Sequence, residues 1–401
     1  MLKLIYLYRN LTRNLLRTGL TCAAVALPIM IYVLSSAVIA SLERFLDNSA
    51  KQLRLVVVHK ASIINPLPVG YRAKIESLDP TRTRITSVCG VRWIGGKVPD
   101  QPQPLSTLAA QHDTFAATFP DLNLTADEID AWHRDRQAII IGDATARQMR
   151  ERFPGWEKGG RITINPSVPP YSAMEFNVIS TAPNATDKLT NFCRLDYLEE
   201  ELKRHIKFTV EGWTPDGWVS FIFVKCATKA DLDYFRAAID ELFARSPDET
   251  KTQDEKSFMM DFINQMFNLP QNLAILSAVT IFVAVMAAAN TMSMNIRDRF
   301  NEMATMKSMG FSASAIFGYI QAESLLLCAV GGAIGAAIPY IAFTHTPLRN
   351  YQVPLIMYLD ISKGVCFQSL LIAVGIGVLA AAWPAWSAAR LHVVTALRNL
   401  E

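Results

Sequence analysis

The sequence has little charge for its length. Only 19% of its 401 residues are Asp, Glu, Lys or Arg, whereas 51% are hydrophobic. The formal net charge is +3, and the basic residues cluster beside apolar runs instead of forming the basic patch that nucleic-acid binding requires. The composition therefore argues against a nucleic-acid partner and indicates a protein of the lipid bilayer.

Motifs for catalysis and metal binding are also missing. The stretch nearest to a GxxxxGKS/T phosphate loop, Gly95-Gly96-Lys97-Val98, lacks the first glycine and the hydroxyl that would hold Mg²⁺. No HExxH, GxSxG or protein-kinase motif occurs, and the six histidines are scattered. We expect no catalytic residue, no metal site and no cofactor bound by this chain, and therefore no enzyme.

The six cysteines show no CxxC or Cys/His ligand spacing, and they form two groups. Those in or beside apolar runs are expected to be small buried hydrophobic residues: Cys22, Cys328 and Cys366. The others lie in the polar middle of the chain: Cys89, Cys193 and Cys226. If that part is extracytoplasmic, disulfides are permitted there, so one disulfide with a leftover thiol and three buried thiols both fit.

Four apolar runs are each long enough to cross a bilayer, because about 20 apolar residues span its hydrocarbon core. They lie at 18–40, 273–292, 315–342 and 365–386. The first resembles a signal peptide, but it is too long for one and no clear cleavage pattern follows. We therefore predict transmembrane helices over residues 18–41, 270–292, 315–343 and 365–387.

Basic residues beside these runs predict the orientation, because cytoplasmic loops of membrane proteins are enriched in Lys and Arg. Such residues precede the first span, separate the second from the third and follow the fourth: Lys3, Arg9, Arg13, Arg17, Arg297, Arg299, Lys307, Arg390 and Arg398. We therefore place both termini, the segment 293–314 and the tail 388–401 in the cytoplasm. Residues 42–269 then form a large extracytoplasmic domain, and residues 344–364 form a short outer loop.

Residues 1–17 are predicted to form a cytoplasmic amphipathic helix that leads into the first span. Arginines recur every four residues on one stripe and leucines line another face, as in helices that lie in the headgroup plane. The alternative is a plain basic anchor for the first span.

The polar middle of the chain predicts a mixed α/β domain. Enrichment in β-branched and aromatic residues indicates strands at 53–59, 84–93, 138–141, 161–164, 175–180 and 218–225. Helices are expected at 69–78, 126–135, 143–153, 195–204 and 229–244, with Asp143 as a helix N-cap. Helical stalks are expected at both ends of the domain, after the first span and at 254–267. The predicted fold class is an α+β membrane protein, with four transmembrane helices and this domain inserted between helices 1 and 2.

Polar and small residues stand out inside the third and fourth runs. Glu323 lies about 12 Å into the third run, where a carboxylate is costly and is a functional candidate. The alternative is a residue near the inner interface that is hydrogen-bonded to a neighbouring helix. Small residues permit close helix packing, which Gly331 and Gly335 predict in the third run and Ala373 and Gly377 in the fourth.

The stretch NTMSMNIRDRFNEMATMKSMGFSASAIFGYIQAESLLLCAVGGAIGA resembles the FtsX/MacB-type ABC permease domain. In that family the second span ends in a short helix that carries an Arg, a Glu and an L-(K/R)-x-x-G segment. The corresponding residues, with the glycines and the glutamate that follow, are Arg299, Glu302, Met306, Lys307, Met309, Gly310, Glu323, Gly331 and Gly332. The segments LAAAWPAWSAARLHVVTALRNLE and LYRNLTRNLLRTGLT resemble the family's two ends. AIIIGDATARQM, WEKGGRITIN and MEFNVISTA resemble the MacB-type periplasmic core.

The resemblance implies a permease subunit of a MacB/LolCE/FtsX-type (type VII) ABC transporter, without a fused ATPase domain. ATP and Mg²⁺ would be bound by a separate cytoplasmic ATPase. The stalks would convey its motion to the extracytoplasmic domain (mechanotransmission), for export or extraction of a hydrophobic, peptide or lipid substrate. The family's substrates include lipoproteins, lipids, peptides and macrolides.

The segment 293–314 would be the coupling helix that docks on the ATPase. The residues assigned to this contact are Arg297, Arg299, Glu302, Met303, Met306, Lys307, Met309 and Gly310. The three methionines recur at i, i+3 spacing and, with Ile296 and Phe300, would present an adaptable apolar face to a groove. The charged residues would set the register.

The resemblance also implies other partners, and two alternative functions are considered beside it. The resemblance implies a homodimer or paired permease in the bacterial plasma (inner) membrane, and it admits a periplasmic adaptor or outer-membrane partner. The first alternative is an FtsX-like regulatory complex that activates an extracytoplasmic hydrolase without transport, although the domain is larger than FtsX usually carries. The second is a secondary transporter, for which four spans and one buried carboxylate are too few.

Overall fold

The computed structural model of the protein describes residues 15–99, 104–168, 173–183, 185, 188–205, 216–346 and 361–390. It divides into two units. The helical unit comprises the described residues up to Ser41 and from Asn268 onward, and the sheet domain comprises Leu42–Phe267. Residues 1–14 of the predicted N-terminal helix, 347–360 of the predicted outer loop and 391–401 of the predicted tail lie outside the described residues.

The elements are numbered here in chain order. The first long helix and the sheet domain contain α1 (Leu15–Ala50), β1 (Arg54–His59), β2 (Leu67–Pro68), α2 (Tyr71–Glu76), β3 (Ile85–Trp93), β4 (Thr107–Ala110), α3 (Phe115–Thr118), α4 (Ala126–Arg134), β5 (Ala138–Ile140), α5 (Asp143–Arg150), β6 (Arg161–Ile164), β7 (Met174–Ser180), β8 (Asn191–Arg194), α6 (Leu195–His205), β9 (Trp218–Val219), β10 (Phe221–Cys226), α7 (Lys229–Phe243), β11 (Thr250–Asp254) and α8 (Glu255–Phe267). The remaining helices are α9 (Leu269–Asp298), α10 (Phe300–Ser308), α11 (Ala313–His345) and α12 (Lys363–Ala389).

Within the described ranges, four helices are long and apolar enough to cross a membrane: α1, α9, α11 and α12. Each forms over an uninterrupted apolar run, because a helix satisfies its own backbone hydrogen bonds in lipid. Pro28 lies within α1 without ending the helix. The predicted fold class, four apolar helices with a mixed α/β domain after the first, is confirmed. Helix α1 runs on without a break to Ala50, past the end of the apolar run.

The sheet domain is built on nine strands in the order β11-β1-β10-β3-β4-β8-β5-β7-β6, with a separate β2-β9 ribbon. The ladders are antiparallel except for β4 with β8 and β5 with β7. Both faces are buried, since Leu55 and Val57 of β1 join one hydrophobic cluster and Val56 and Val58 join another. This burial explains why β1 is an uninterrupted apolar run instead of an alternating one.

Several sequence predictions for this domain need correction. The predicted strand 218–225 is interrupted at Ser220 and forms β9 and β10. Strands β4, β8 and β11 were not predicted, because TLAA, NFCR and TKTQD lack a run of β-branched or aromatic residues. Asp143 is not an N-cap: Gly142 occupies that position, and the Asp143 carboxylate instead pairs with Arg147 one turn later.

All six cysteines lie among the described residues and carry free thiols. Three of them are buried in the sheet domain, and burial raises the pKa of Cys89, Cys193 and Cys226 to about 12 in each case. Of the two arrangements that the sequence left open, the structure has three buried thiols, which remain protonated and unreactive near neutral pH.

Candidate functional site

The candidate site is the polar connection between α9 and α11. Helix α9 ends at Asp298, and Arg299 (φ −112°, ψ 18°) separates it from the short helix α10. Gly310, at φ +90°, turns the chain after α10, which only glycine does without strain. Ser312 then caps α11 by accepting a hydrogen bond from the Ala315 amide at 3.2 Å. The predicted coupling segment 293–314 thus consists of the end of α9, all of α10 and this turn.

An ion pair joins this connection to α11. Glu323 in α11 is only 5% exposed, and its Oε2 accepts a hydrogen bond from Arg299 Nη1 at 3.0 Å. Its Oε1 accepts a second from Asn295 Nδ2 at 3.3 Å. Arg299 Nε also contacts Glu302 Oε2 at 3.0 Å. The carboxylate is therefore compensated by a cation and an amide, and this bonding corresponds to the hydrogen-bonded alternative weighed for Glu323 from sequence.

The inner side of α10 is apolar and packs on the spans. Met303 is 4% exposed and lies in a cluster whose other buried members are Ile296, Ile316, Ile320, Ala385 and Ala388. Met306 packs against the same cluster. Lys307 Nζ donates a hydrogen bond to the carbonyl oxygen of Ala389 in α12 at 2.9 Å. The connection is thus bonded to both α11 and α12.

The structure places only some of the predicted docking residues on the exposed side of the connection. Met303 and Met306 pack towards the spans, and Arg299 and Lys307 make contacts within the helical unit. The exposed side of the connection carries three of the predicted residues, Arg297, Met309 and Gly310, together with Asn301, Thr305, Ser308 and Phe311. Of the predicted methionines only Met309, 66% exposed, is available to a partner. The i, i+3 spacing marks an apolar face, but both the bilayer spans and a partner groove would satisfy that face.

The predicted packing glycines lie where helix backbones approach closely. A Cβ on Gly331 would lie 2.8 Å from the carbonyl oxygen of Cys22, and one on Gly335 would lie 2.4 Å from that of Ala26. Both contacts join α11 to α1. Gly332 instead faces α12, where an added Cβ would lie 2.3 Å from that of Ala373.

Gly377 in α12 packs closely on α11 in the same way. A Cβ at this position would lie 3.1 Å from that of Cys328. The Gly377 carbonyl also accepts a hydrogen bond from Ser324 Oγ at 2.9 Å. Sequence reasoning missed Ser324 and Asn295, although a polar residue inside an apolar run is the signal that pointed to Glu323.

The connection is fixed to the spans at several points. Ion pairs, one backbone carbonyl and an apolar cluster fix α10 to α11 and α12, and close glycine contacts fix α11 to α1 and α12. Among the described residues, no group of three or more His, Cys, Asp or Glu could hold a metal ion. The site thus defines a class: a multi-pass membrane protein whose second and third spans are joined by an ion-paired polar connection.

Comparison with known proteins gives a family for the C-terminal part of the described helical unit. Residues 274–393 match the family model of the FtsX-like permease C-terminal domain, so this part of the chain is an FtsX-like permease domain. The match covers α9 from its second turn, the connection, α11 and α12. The resemblance to FtsX/MacB-type permeases inferred from sequence is confirmed.

Two curated relatives bear the same description, macrolide export ATP-binding/permease protein MacB. The chain is 26% identical over 153 residues to the one from Syntrophobacter fumaroxidans, which is 38% of this chain and 21% of that protein. It is 27% identical over 126 residues to the one from Rhodopseudomonas palustris, which is 31% and 18% of the two chains. The chain therefore matches only a minor part of the length of these relatives.

A solved structure is also similar, the extracellular domain of the noncanonical ABC-type transporter YknZ from Gram-positive bacteria. The aligned region covers 50% of this chain and 99% of the solved chain, with a TM-score of 0.33 and 8% sequence identity.

Proposed function

We propose that this chain is a permease subunit of a MacB/LolCE/FtsX-type ABC transporter. A separate cytoplasmic ATPase, which binds ATP and Mg²⁺, drives movement of the sheet domain for export or extraction of a hydrophobic, peptide or lipid substrate. The observation that carries the proposal is the two-sided connection between α9 and α11. One side is bonded to the spans through Arg299 and Glu323, and the other is exposed.

The inner side of the connection supports the transmission step. A push on α10 would reach α11 through the Arg299–Glu323 pair and α12 through Lys307 and the Ala389 carbonyl. Because packed side chains and ion pairs have discrete arrangements, such a connection moves as a unit instead of deforming.

The outer side supports the docking step. Met309 is 66% exposed and Phe311 is 49% exposed, next to the exposed polar residues Asn301 and Thr305. Exposed apolar side chains rimmed by polar ones are typical of protein contact sites. The basic residues of the connection support a cytoplasmic position for this surface, where the ATPase would bind.

The same proposal includes the remaining features of the complex. Both termini are cytoplasmic, the sheet domain is extracytoplasmic, and the membrane is the bacterial inner membrane. Two copies, or this chain and a related permease, pair to match the two ATPase subunits. The charge distribution of the flanking segments supports this orientation.

The test is purification of the tagged full chain in mild detergent, with identification of bound proteins by mass spectrometry. We expect an ABC ATPase in stoichiometric amount. Met309→Asp and Phe311→Asp should each lower its yield about tenfold or more, because a buried unpaired charge destabilises an interface. The matched control is Leu242→Asp, which places the same charge on an apolar residue that is 41% exposed in the sheet domain.

Two results would contradict the proposal. The wild-type chain could purify intact without any ABC ATPase, in which case the permease assignment fails. Alternatively, both loop variants could retain the ATPase as well as Leu242→Asp does, in which case the docking surface lies elsewhere.

A further inference from the structure

The sheet domain contains a buried cation at the point where α1 gives way to the sheet. Helix α1 ends at Ala50, Leu53 takes a left-handed conformation at φ +51°, and Arg54 begins β1. The Arg54 side chain is 3% exposed. A left-handed leucine is an uncommon and strained conformation, so the surrounding structure must fix this turn.

Arg54 is bonded on every side of its guanidinium group. Nε and Nη2 donate to the two carboxylate oxygens of Glu255 at 2.7 and 2.9 Å. Nη2 also donates to Asp121 Oδ2 at 3.2 Å, and Nη1 donates to the other oxygen of Asp121 and to the Thr118 carbonyl. The Phe119 ring lies 4.8 Å from the guanidinium carbon. Such a forked pairing fixes orientation as well as charge.

The electrostatics favour the charged form of the arginine. Burial alone would lower the pKa of Arg54, but the ion pairs and hydrogen bonds with Glu255 and Asp121 outweigh burial and raise that pKa. Both carboxylates are themselves only 8% exposed. The three groups therefore depend on one another, because loss of one leaves a buried charge without its partner.

Arg54 lies near the start of the domain, and its partners come from near the end of the domain and from its middle. Glu255 is the first residue of α8, the helix that precedes α9. Strands β1 and β11 are antiparallel neighbours with Leu55 opposite Asp254, so the chain enters and leaves the sheet side by side. Asp121 belongs to a single 3-10 turn, Pro120–Leu122, packed in the domain. Arg54 thus joins the start of β1 to the start of α8 and to the Pro120–Leu122 turn.

A second, exposed contact joins the two helices at the same junction. Lys256 Nζ in α8 lies 2.5 Å from Asp47 Oδ1 in α1, and these side chains are 43% and 61% exposed. Exposed pairs of this kind contribute little to stability, so we expect the buried Arg54 cluster to contribute more to the stability of this junction.

The break in the second connection lies beyond this junction. Asn268 is left-handed at φ 43° and ψ 34°, and it separates α8 from α9, whose first turn contains Pro270. By contrast α1 has no break between Leu15 and Ala50. A left-handed residue followed by a proline ends one helix and begins another, so a change of angle between α8 and α9 would concentrate at Asn268.

We propose that Arg54 is a positioning residue that makes α8, residues 42–50 of α1 and the nine-stranded sheet one rigid body. Motion that arrives along α1 is then passed to the whole domain, and bending is confined to Asn268. This inference rests on the proposed function for the origin of the motion, but the rigidity of the junction does not depend on it.

The first experiment tests rigidity alone, by amide hydrogen exchange of the full chain in detergent without any ATPase. Glu255→Gln keeps the shape of the side chain but removes the charge that links Arg54 to α8. We expect amides of 255–267 to exchange about tenfold faster, which corresponds to ~1.4 kcal/mol of local opening, with no change in β5 and β7.

The matched variant is Asp121→Asn, which leaves the Arg54–Glu255 contact in place and should affect 255–267 less. Faster exchange throughout the domain in Glu255→Gln would mean a role in overall stability only and would overturn the proposal. Unchanged exchange of 255–267 in that variant would overturn it as well.

The second experiment adds the co-purified ATPase and compares exchange with and without bound ATP. In the wild-type chain, ATP should change exchange both in the connection 293–314 and within the sheet domain. In Glu255→Gln the first change should remain and the second should be lost, and retention of both would overturn the role of the cluster in transmission. Absence of any bound ATPase would contradict the proposed function but leave the result of the first experiment standing.

Discussion

The sheet domain and the helical unit are stabilised in different ways. In the sheet domain large side chains fill both faces of the sheet: the Phe115 ring stacks on Trp132 with centroids 4.5 Å apart and contacts Phe192 at 5.2 Å. In the helical unit small residues let backbones meet, as at Gly335 and Ala26. In water the hydrophobic effect drives the burial of large apolar groups. In lipid this effect does not drive helices together, and they associate through close packing and polar contacts.

The surface of α9 fits this difference. Large apolar residues are exposed along it: Ile275, Leu276, Val279, Phe282, Val283 and Met286. In a domain surrounded by water such a stripe would be a docking site or an aggregation hazard, but on a membrane span it faces an apolar solvent. Each unit nevertheless contains an arginine with two carboxylate partners, Arg54 at 3% exposure in the sheet domain and Arg299 at 11% in the helical unit, so the two arginines can be compared directly.

The largest expected effect is at Arg54. Arg54→Ala leaves Glu255 and Asp121 buried without a cation, which should destabilise the sheet domain by about 3–5 kcal/mol. The measurement is urea-induced unfolding of the full chain in detergent, followed by proteolysis of the sheet domain. The control is Arg161→Ala, because Arg161 is 67% exposed and its contact with Glu175 is long, at 3.8 Å.

If both variants unfold at the same urea concentration, the buried Arg54 cluster does not stabilise the sheet domain more than an exposed ion pair does. This result would also remove the contrast between a fully buried ion cluster and a surface pair on the same sheet.

The second expected effect is at Glu323, the counterpart in the helical unit. Glu323→Gln keeps the side-chain shape but replaces a charged hydrogen bond with a neutral one, while Arg299 keeps Glu302 as a partner. We expect a loss of about 1.5–3 kcal/mol, smaller than at Arg54. Thermal unfolding in detergent measures it, and Glu302→Gln, at a carboxylate that is 34% exposed, is the matched control.

If Glu302→Gln destabilises the protein as much as Glu323→Gln does, burial of the carboxylate is not what matters. The Arg299 cluster would then be a surface feature of the connection between α9 and α11 instead of a tie to α11.

The two clusters also differ in how far the sequence predicts them. Glu323 is visible because a single carboxylate interrupts an apolar run, and the cost of that charge marks it. Arg54 begins the strand RLVVVH like any polar residue at a strand end, and its partners lie 67 and 201 positions away. No local pattern joins residues at such separations. The register of β1 with β11 brings Glu255 to Arg54, and the position of the Pro120–Leu122 turn brings Asp121.

The same reasoning explains the other differences. The four spans are predicted because length and apolarity decide them locally. Strand β11, TKTQD, is polar and lies at the edge of the sheet, where pairing with β1 instead of its own composition makes it a strand. The inward face of Met303 depends on Ile316, Ile320 and Ala385, which other parts of the chain supply.

The smallest expected effect tests the close packing of the helical unit. In Gly335→Ala the new Cβ would lie 2.4 Å from the Ala26 carbonyl oxygen, so α1 and α11 must separate, at about 1–3 kcal/mol. Gly318→Ala in the same helix is the matched control, because nothing lies within 4 Å of its added Cβ, and alanine should favour the helix slightly. Thermal unfolding in detergent measures both variants. Equal melting temperatures would mean that α1 and α11 are not held by close contact, and that the helical unit, like the sheet domain, is stabilised chiefly by large side chains.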